Sequence, residues 1–308
     1  MLITTDAVGG VGSHTRELAR SLVRRRWRVT VAVFGPLPGN YSAAWAGECG
    51  VEVRHGGPGL EWMPGAEGAV RESQRWLRAQ VAALRPDVLH ANQFAAAGAG
   101  CGVPVLLAVH SDVVSWWRAV HGRRPPQGPW IRFYELTARA GLAAAAAVVA
   151  PTRGALADLR ASFGAALDRV PVTAAIANGM DLAAWPQPGE RRKRSYAAAA
   201  GRLWDEGKQI HLVCQPGLAM PMKIAGPGAP PTAGAAAAGM PPGGGALPAG
   251  VSWAGELDAD AMKDFLAGAA VFVLPSRYEP FGLGALEAAL SGCALLLNDI
   301  PSLREVWG

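Results

Sequence analysis

The sequence predicts an α/β protein made of two doubly wound, parallel-sheet domains, and three observations predict it. Short, nearly continuous apolar runs alternate with longer amphipathic stretches, as buried parallel strands and their crossover helices do. The alternation fills residues 1–175, breaks at 176–195 in a stretch with Asn-Gly, two prolines and a basic run, and restarts over 196–308. A glycine turn, Gly9-Gly10-Val11-Gly12, follows the first strand directly, where a Rossmann-like domain passes from strand to helix.

Each element follows from its pattern. Residues 2–5 form a short apolar strand, and the helix behind the glycine turn places Val11, Leu18 and Leu22 on one side and Arg16, Arg20 and Arg24 on the other. Strands are expected at 28–34 and 51–53, a helix at 70–84, and a strand edge at 86–90. Residues 103–110 read as a fully buried strand, 130–144 as a helix and 146–150 as the next strand. In the second half, strands are expected at 196–201, 222–226, 251–254, Ala269–Leu274 and Ala294–Leu297, the last two buried and each beside a helix. Residues 226–250 are nearly all Ala, Gly and Pro without a charge, too poor in side chain to offset ordering entropy, so a mobile loop is expected there.

Composition narrows the function classes. Half of the 308 residues are apolar, which excludes a disordered chain and leaves room for two cores. The formal charge of +5 suits anionic partners such as nucleotide diphosphates. No charge block exceeds Arg191-Arg192-Lys193-Arg194, and no basic stretch is interleaved with aromatics, so nucleic acid is not an expected partner. Cys49, Cys101, Cys214 and Cys293 lie far apart with no metal-ligand spacing; they read as reduced, mostly buried thiols of a cytoplasmic protein, and no metal is expected. The apolar run near 141–151 is too short to span a bilayer, and with a strand at residue 2 no leader is expected.

The strongest chemical signal is Glu279 followed by Glu287. A buried strand ends at Leu274, a turn follows, and Phe281-Gly282-Leu283 opens a helix whose exposed N–H groups suit phosphate or sugar oxygens. Glu279 precedes that helix and Glu287 lies on it, so the carboxylates address different parts of one ligand; sugar diols suit such acceptors. The rival explanation is a solvated helix glutamate plus a turn glutamate.

These residues, with Asp6-Ala7-Val8-Gly9-Gly10-Val11, residues 86–90, Val109-His110-Ser111, Ala177-Asn178-Gly179-Met180-Asp181 and Gly201-Arg202-Leu203 with Lys208, resemble glycosyltransferase family 4 over most of the chain. The resemblance implies the GT-B architecture, two facing Rossmann-like domains with a cleft between them. It implies a retaining, metal-independent transfer of a hexose-type sugar from a nucleotide-diphosphate sugar to an acceptor hydroxyl, with no cofactor. By resemblance, Glu279 holds donor-sugar hydroxyls and Glu287 the nucleotide ribose, while Phe281, Gly282 and Leu283 line the donor. Arg202 and Lys208 neutralise the leaving diphosphate, Gly9 and Gly10 approach it from the first domain, and His110 contacts the donor sugar. Lys208 stands one residue further from Arg202 than is common in the family. Members usually continue past the point corresponding to Gly308, so the second domain is read as incomplete.

Alternatives stay open. A dinucleotide-dependent oxidoreductase lacks support, because the glycine turn departs from the G-x-G-x-x-G spacing and the second strand ends in Phe34-Gly35-Pro36, where a ribose-binding acid is expected. An inactive protein that only binds nucleotide sugar, or a sugar-nucleotide epimerase, keeps the same residues. The acceptor, whether sugar, lipid or small molecule, is not legible. Trp116-Trp117 suggests an acceptor pocket or simple packing, and the arginines of 13–26 suggest contact with the inner membrane face or a solvated helix side.

Overall fold

Strands covered on both faces need apolar residues at successive positions, and both sheets have them. The computed structural model describes residues 1–7, 9–37, 42–185, 193–229 and 246–308, and the chain divides into two compact units, Met1–Met180 and Asp181–Gly308.

In the first unit, β1 (Leu2–Asp6), α1 (Gly10–Arg24), β2 (Thr30–Phe34), α2 (Ala44–Cys49), β3 (Glu52–Gly57) and α3 (Glu67–Leu84) come first. Then come β4 (Leu89–Ala91), α4 (Phe94–Ala97), β5 (Val105–Ala108), α5 (Val113–His121), α6 (Pro129–Ala144), β6 (Ala147–Ala150), α7 (Arg153–Leu167) and β7 (Val172–Ala175). The seven strands pair in parallel in the order β3-β2-β1-β4-β5-β6-β7. Alternate residues of one strand feed opposite cores: Leu2 packs with Phe34, Leu77 and Leu107, and the adjacent Ile3 with Val31, Val33 and Ala19. The strand order reverses between β1 and β4, and in open α/β sheets ligands bind beyond the carboxyl ends of strands at such a reversal.

In the second unit, β8 (Arg194–Ala200) leads through two single 3-10 turns, Glu206–Lys208 and Ile210–Leu212, to β9 (Met222–Ala225) and β10 (Val251–Trp253). Then follow α8 (Ala259–Gly268), β11 (Ala269–Leu274), α9 (Leu283–Leu290), β12 (Ala294–Leu297) and α10 (Pro301–Trp307). The order is β10-β9-β8-β11-β12, again all parallel, with the reversal between β8 and β11. Tyr196 and Ala198 of β8 face Phe272, Leu266 and Ala285, whereas Ala197 and Ala199 face Ile210, Met222 and Val273.

Several expectations change. Ala294–Leu297 is an edge strand rather than a buried one: among the described residues β12 pairs only with β11, and Leu296 is 60% exposed. An apolar run alone cannot distinguish a sheet's centre from its margin. The four thiols are free, but only Cys293 is buried, the others being half-buried. Gly226, expected at the start of a mobile loop, is held in place: its N–H donates to Gly255 O at 2.7 Å, and its carbonyl accepts from Trp253 Nε1 at 3.0 Å. A Cβ there would lie 1.9 Å from Gly201 O at φ 124°, so only glycine fits. Residues 230–245 of that loop, Val8, and Arg191-Arg192 of the basic run lie outside the described residues. The 3-10 turns between β8 and β9 cover less of the sheet than a full crossover helix would, and a groove of about 430 Å³ lined by Leu212, Val213, Leu218, Met220 and Met222 remains.

Candidate functional site

Both sheet reversals carry the polar residues singled out from sequence. In the second unit, the chain leaves β8 at Gly201-Arg202 and turns back through Glu206–Lys208, and it leaves β11 into Pro275–Glu279. The two loops are tied by the Arg277 N–H donating to Gly207 O at 2.8 Å. Lys208 Nζ and Glu279 Oε2 meet at 2.5 Å, with only 17% and 13% of the side chains exposed. Glu279 Oε1 accepts the N–H of Gly282, the residue just before α9, at 3.1 Å, and the Ser302 hydroxyl donates to Glu279 O at 2.5 Å. Gly282 takes φ 90°, a left-handed backbone that a side chain would strain. Phe281 is buried beside it, and Leu283 is the first residue of α9.

Arg202 has an acid and an aromatic ring as partners of its own. Its guanidinium donates to Asp205 Oδ2 at 2.8 Å and lies 5.6 Å from the centre of the Trp204 ring. About a third of that side chain stays exposed, so it remains accessible to an anion. Glu287 is half-buried one turn into α9. Charge of one sign is thus fixed by the other at the carboxyl ends of β8 and β11.

The first unit builds a different environment at its own reversal. Gly9 opens α1 at φ 82° with no side-chain cap, Gly10 is the helix's first residue, and a Cβ on Gly9 would meet nothing within 4 Å. By contrast α5, α7 and α8 are capped by Asp112, Thr152 and Asp258. One turn into α1, the His14 ring lies 4.5 Å from that of His110 and 6.3 Å from that of His90. His110 follows β5, and its Nε2 lies 3.0 Å from Asn92 Oδ1, just beyond β4.

These histidines are neutral at neutral pH. Burial lowers His14 to about 4 against a hydrogen bond with Asn178. Burial and then the nearby His14 lower His90 to about 4, and burial followed by His14 and His90 holds His110 well below its usual value. Near them burial raises Asp112 to about 6, opposed by hydrogen bonds from Ser115 and Val114. Glu61 is also raised by burial, although it accepts the Phe94 N–H at 2.8 Å.

Among known families, the model for "Glycosyltransferase Family 4" matches residues 8–184, more than half of the chain. The chain belongs to glycosyltransferase family 4. A second model, "Glycosyl transferases group 1", matches residues 246–308. The chain is 28% identical over 329 aligned positions to an alpha-maltose-1-phosphate synthase of Mycolicibacterium smegmatis, covering 98% of this chain and 79% of that protein. It is 32% identical to a Mycobacterium tuberculosis glycogen synthase over 46% of this chain and 35% of that one. The structure resembles that of sucrose-phosphate synthase from Thermosynechococcus elongatus with a TM-score of 0.71 at 18% identity, covering 99% and 82% of the two chains. The fold is the α/β GT-B fold, and no helix among the described residues is long and apolar enough to cross a membrane.

Sequence reasoning in this glycosyltransferase missed His14, Asn92 and Asp112. His14 lies on the helix that the glycine turn opens, and Asn92 is two positions past His90 at a strand's carboxyl end, a place where polar residues are themselves a signal. Trp116 and Trp117 pack on each other and on His121, at centroid distances of 5.8, 5.5 and 4.5 Å.

Proposed function

We propose that this glycosyltransferase moves a hexose from a nucleoside-diphosphate sugar to an acceptor hydroxyl with retention of configuration, without a catalytic metal. The observation that carries the reading is the Lys208–Glu279 pair set at the start of α9. A leaving diphosphate needs fixed positive charge as its bond to the sugar breaks, and Lys208, with the accessible Arg202, supplies it. As phosphate oxygens draw Lys208 toward themselves, Glu279 is freed to accept hydrogen bonds from donor-sugar hydroxyls, and its hold on the Gly282 N–H keeps it in place. Glu287, further along the same helix, accepts from the ribose diol.

In the first unit, the uncapped start of α1 at Gly9 and Gly10 offers N–H groups to phosphate, and His110 offers a ring nitrogen to a sugar hydroxyl. Retention follows if the acceptor attacks the face from which the diphosphate departs. The mycobacterial relatives are named as synthases of maltose-1-phosphate and of glycogen, which supports a sugar or sugar phosphate as the acceptor class.

The test is a donor screen of the full chain with ADP-glucose, UDP-glucose and GDP-mannose, reading nucleoside diphosphate release with and without sugar acceptors in metal-free buffer. Release with at least one donor, lost in Glu279→Ala and Lys208→Met, supports the proposal. Release that survives both substitutions unchanged overturns the site, and release that stops with chelator overturns metal independence.

A further inference from the structure

The His110 ring is held at one nitrogen by a side chain whose own orientation is dictated by its neighbours. Asn92 Nδ2 donates to Thr4 O at 2.7 Å, and a backbone carbonyl only accepts. The second hydrogen of that nitrogen goes to Thr15 Oγ1 at 3.1 Å. Thr15 gives its single hydroxyl hydrogen to Thr5 Oγ1 at 3.1 Å, and Thr5 gives its own to Asp6 O at 3.0 Å. On the other side, the Asn92 N–H donates to Thr4 Oγ1 at 3.1 Å, which in turn donates to Gln93 Oε1 at 2.6 Å.

Each hydroxyl in this chain has one hydrogen, and each hydrogen is used. Turning the amide around would set Oδ1 against the Thr4 carbonyl and leave Thr15 without its donor, so the orientation is fixed. With Nδ2 committed, Oδ1 faces His110 Nε2 at 3.0 Å. A carbonyl oxygen accepts only, so Nε2 carries the ring hydrogen and the lone pair lies on Nδ1. His14 and His90, the titratable side chains grouped with this ring, are themselves neutral.

We propose that Asn92 is a positioning residue that locks His110 in its Nε2–H tautomer, so that Nδ1 accepts a hydrogen bond from one hydroxyl of the bound donor sugar. The contact to sugar rests on the proposed function; the lock does not. The lock makes the site selective for chemistry: the ligand must present an O–H at that point, and a deoxy or O-methyl sugar at the same carbon leaves Nδ1 unpaired. Asparagine is needed because a carboxylate cannot donate to Thr4 O and Thr15, and it would draw a second proton onto the ring.

Long-range ¹H–¹⁵N NMR on the ¹⁵N-histidine-labelled full chain at pH 7 tests the lock, with His110→Gln used to assign the signal. A protonated Nε2 and a bare Nδ1 are expected. A predominant Nδ1–H ring overturns the proposal. In the Asn92→Leu variant, which offers no acceptor, the ring is expected to lose its exclusive Nε2–H form, and an unchanged Nε2–H ring there overturns the role of Asn92. For the contact, turnover of a working donor is compared with its monodeoxy analogues. One analogue is expected to fall at least tenfold in the wild type and to lose that disadvantage in His110→Ala; equal turnover of all analogues by the wild type overturns the contact. Absence of turnover with any donor speaks against the proposed function, and the tautomer is read without it.

Discussion

The two sheet reversals differ in their electrostatics. In the first unit, His14, His90 and His110 are neutral, and a chain of threonine hydroxyls and one amide holds the last of them in place. In the second, Lys208 and Glu279 form a largely enclosed ion pair, and Arg202 is held by Asp205. A neutral network fixes direction, because hydroxyls and amides have defined donors and acceptors. An ion pair fixes charge, and it can be redistributed when a charged ligand arrives. Direction suits recognition of sugar hydroxyls, and charge suits a departing diphosphate, so the difference follows the chemistry proposed for each.

Breaking the charged region has the largest expected effect. Lys208→Met or Glu279→Ala is expected to lower turnover by about 10²–10³-fold, the size seen when one electrostatic stabiliser of a transition state is removed. Steady-state kinetics on folded variants checks this, and a loss of under threefold in both would leave the ion pair a structural feature. Gly226→Ala comes next. The added Cβ must displace the Gly201 carbonyl beside Arg202, and a loss of about 2–3 kcal/mol is expected from urea unfolding. A change within about 0.5 kcal/mol would mean that this approach is looser than the structure has it.

Salt sharpens the contrast. Binding that depends on Lys208 and Arg202 is expected to weaken by a few-fold between about 0.05 and 0.5 M salt as the charges are screened, whereas the His110 tautomer stays the same. Titration of nucleoside diphosphate at several salt concentrations reads this, and a flat response would remove the electrostatic role.

The smallest effect concerns Asp112 at the start of α5. Its carboxyl is raised to about 6 in the folded chain, so ionisation opposes folding above that pH, and the cost disappears as pH falls toward the unfolded value of 3.8. Asparagine can still accept the Ser115 N–H. Asp112→Asn is therefore expected to be more stable than the wild type by about 1–2 kcal/mol at pH 7.5, with the gap closing between pH 6 and 4. A gap that widens on acidification would contradict the shift.

Much of the fold was legible because parallel strands write themselves as continuous apolar runs. The runs at 28–34, 103–110 and 146–150 contain β2, β5 and β6, and the glycine that opens α9 sits where Phe281-Gly282-Leu283 placed it. The run at Ala294–Leu297 misled for the same reason, since apolar character does not say how many neighbours a strand has. Site residues on single loops were legible as motifs, whereas their pairings were not. Lys208 and Glu279 lie 71 positions apart, and Asn92 meets Thr4 across 88, so no periodicity links them. Asn92 itself escaped notice because its part is to orient other groups.

By this proposal the Lys208–Glu279 loop pair at the start of α9 receives a nucleoside diphosphate. Calorimetric titration of ADP, UDP and GDP into the wild type, Lys208→Met and His110→Ala tests it most directly, with circular dichroism confirming that each protein is folded. At least one nucleotide is expected to bind the wild type, with Lys208→Met weakening it tenfold or more and His110→Ala, which removes a sugar contact only, changing it less than threefold. Wild-type affinity in a folded Lys208→Met protein would contradict it.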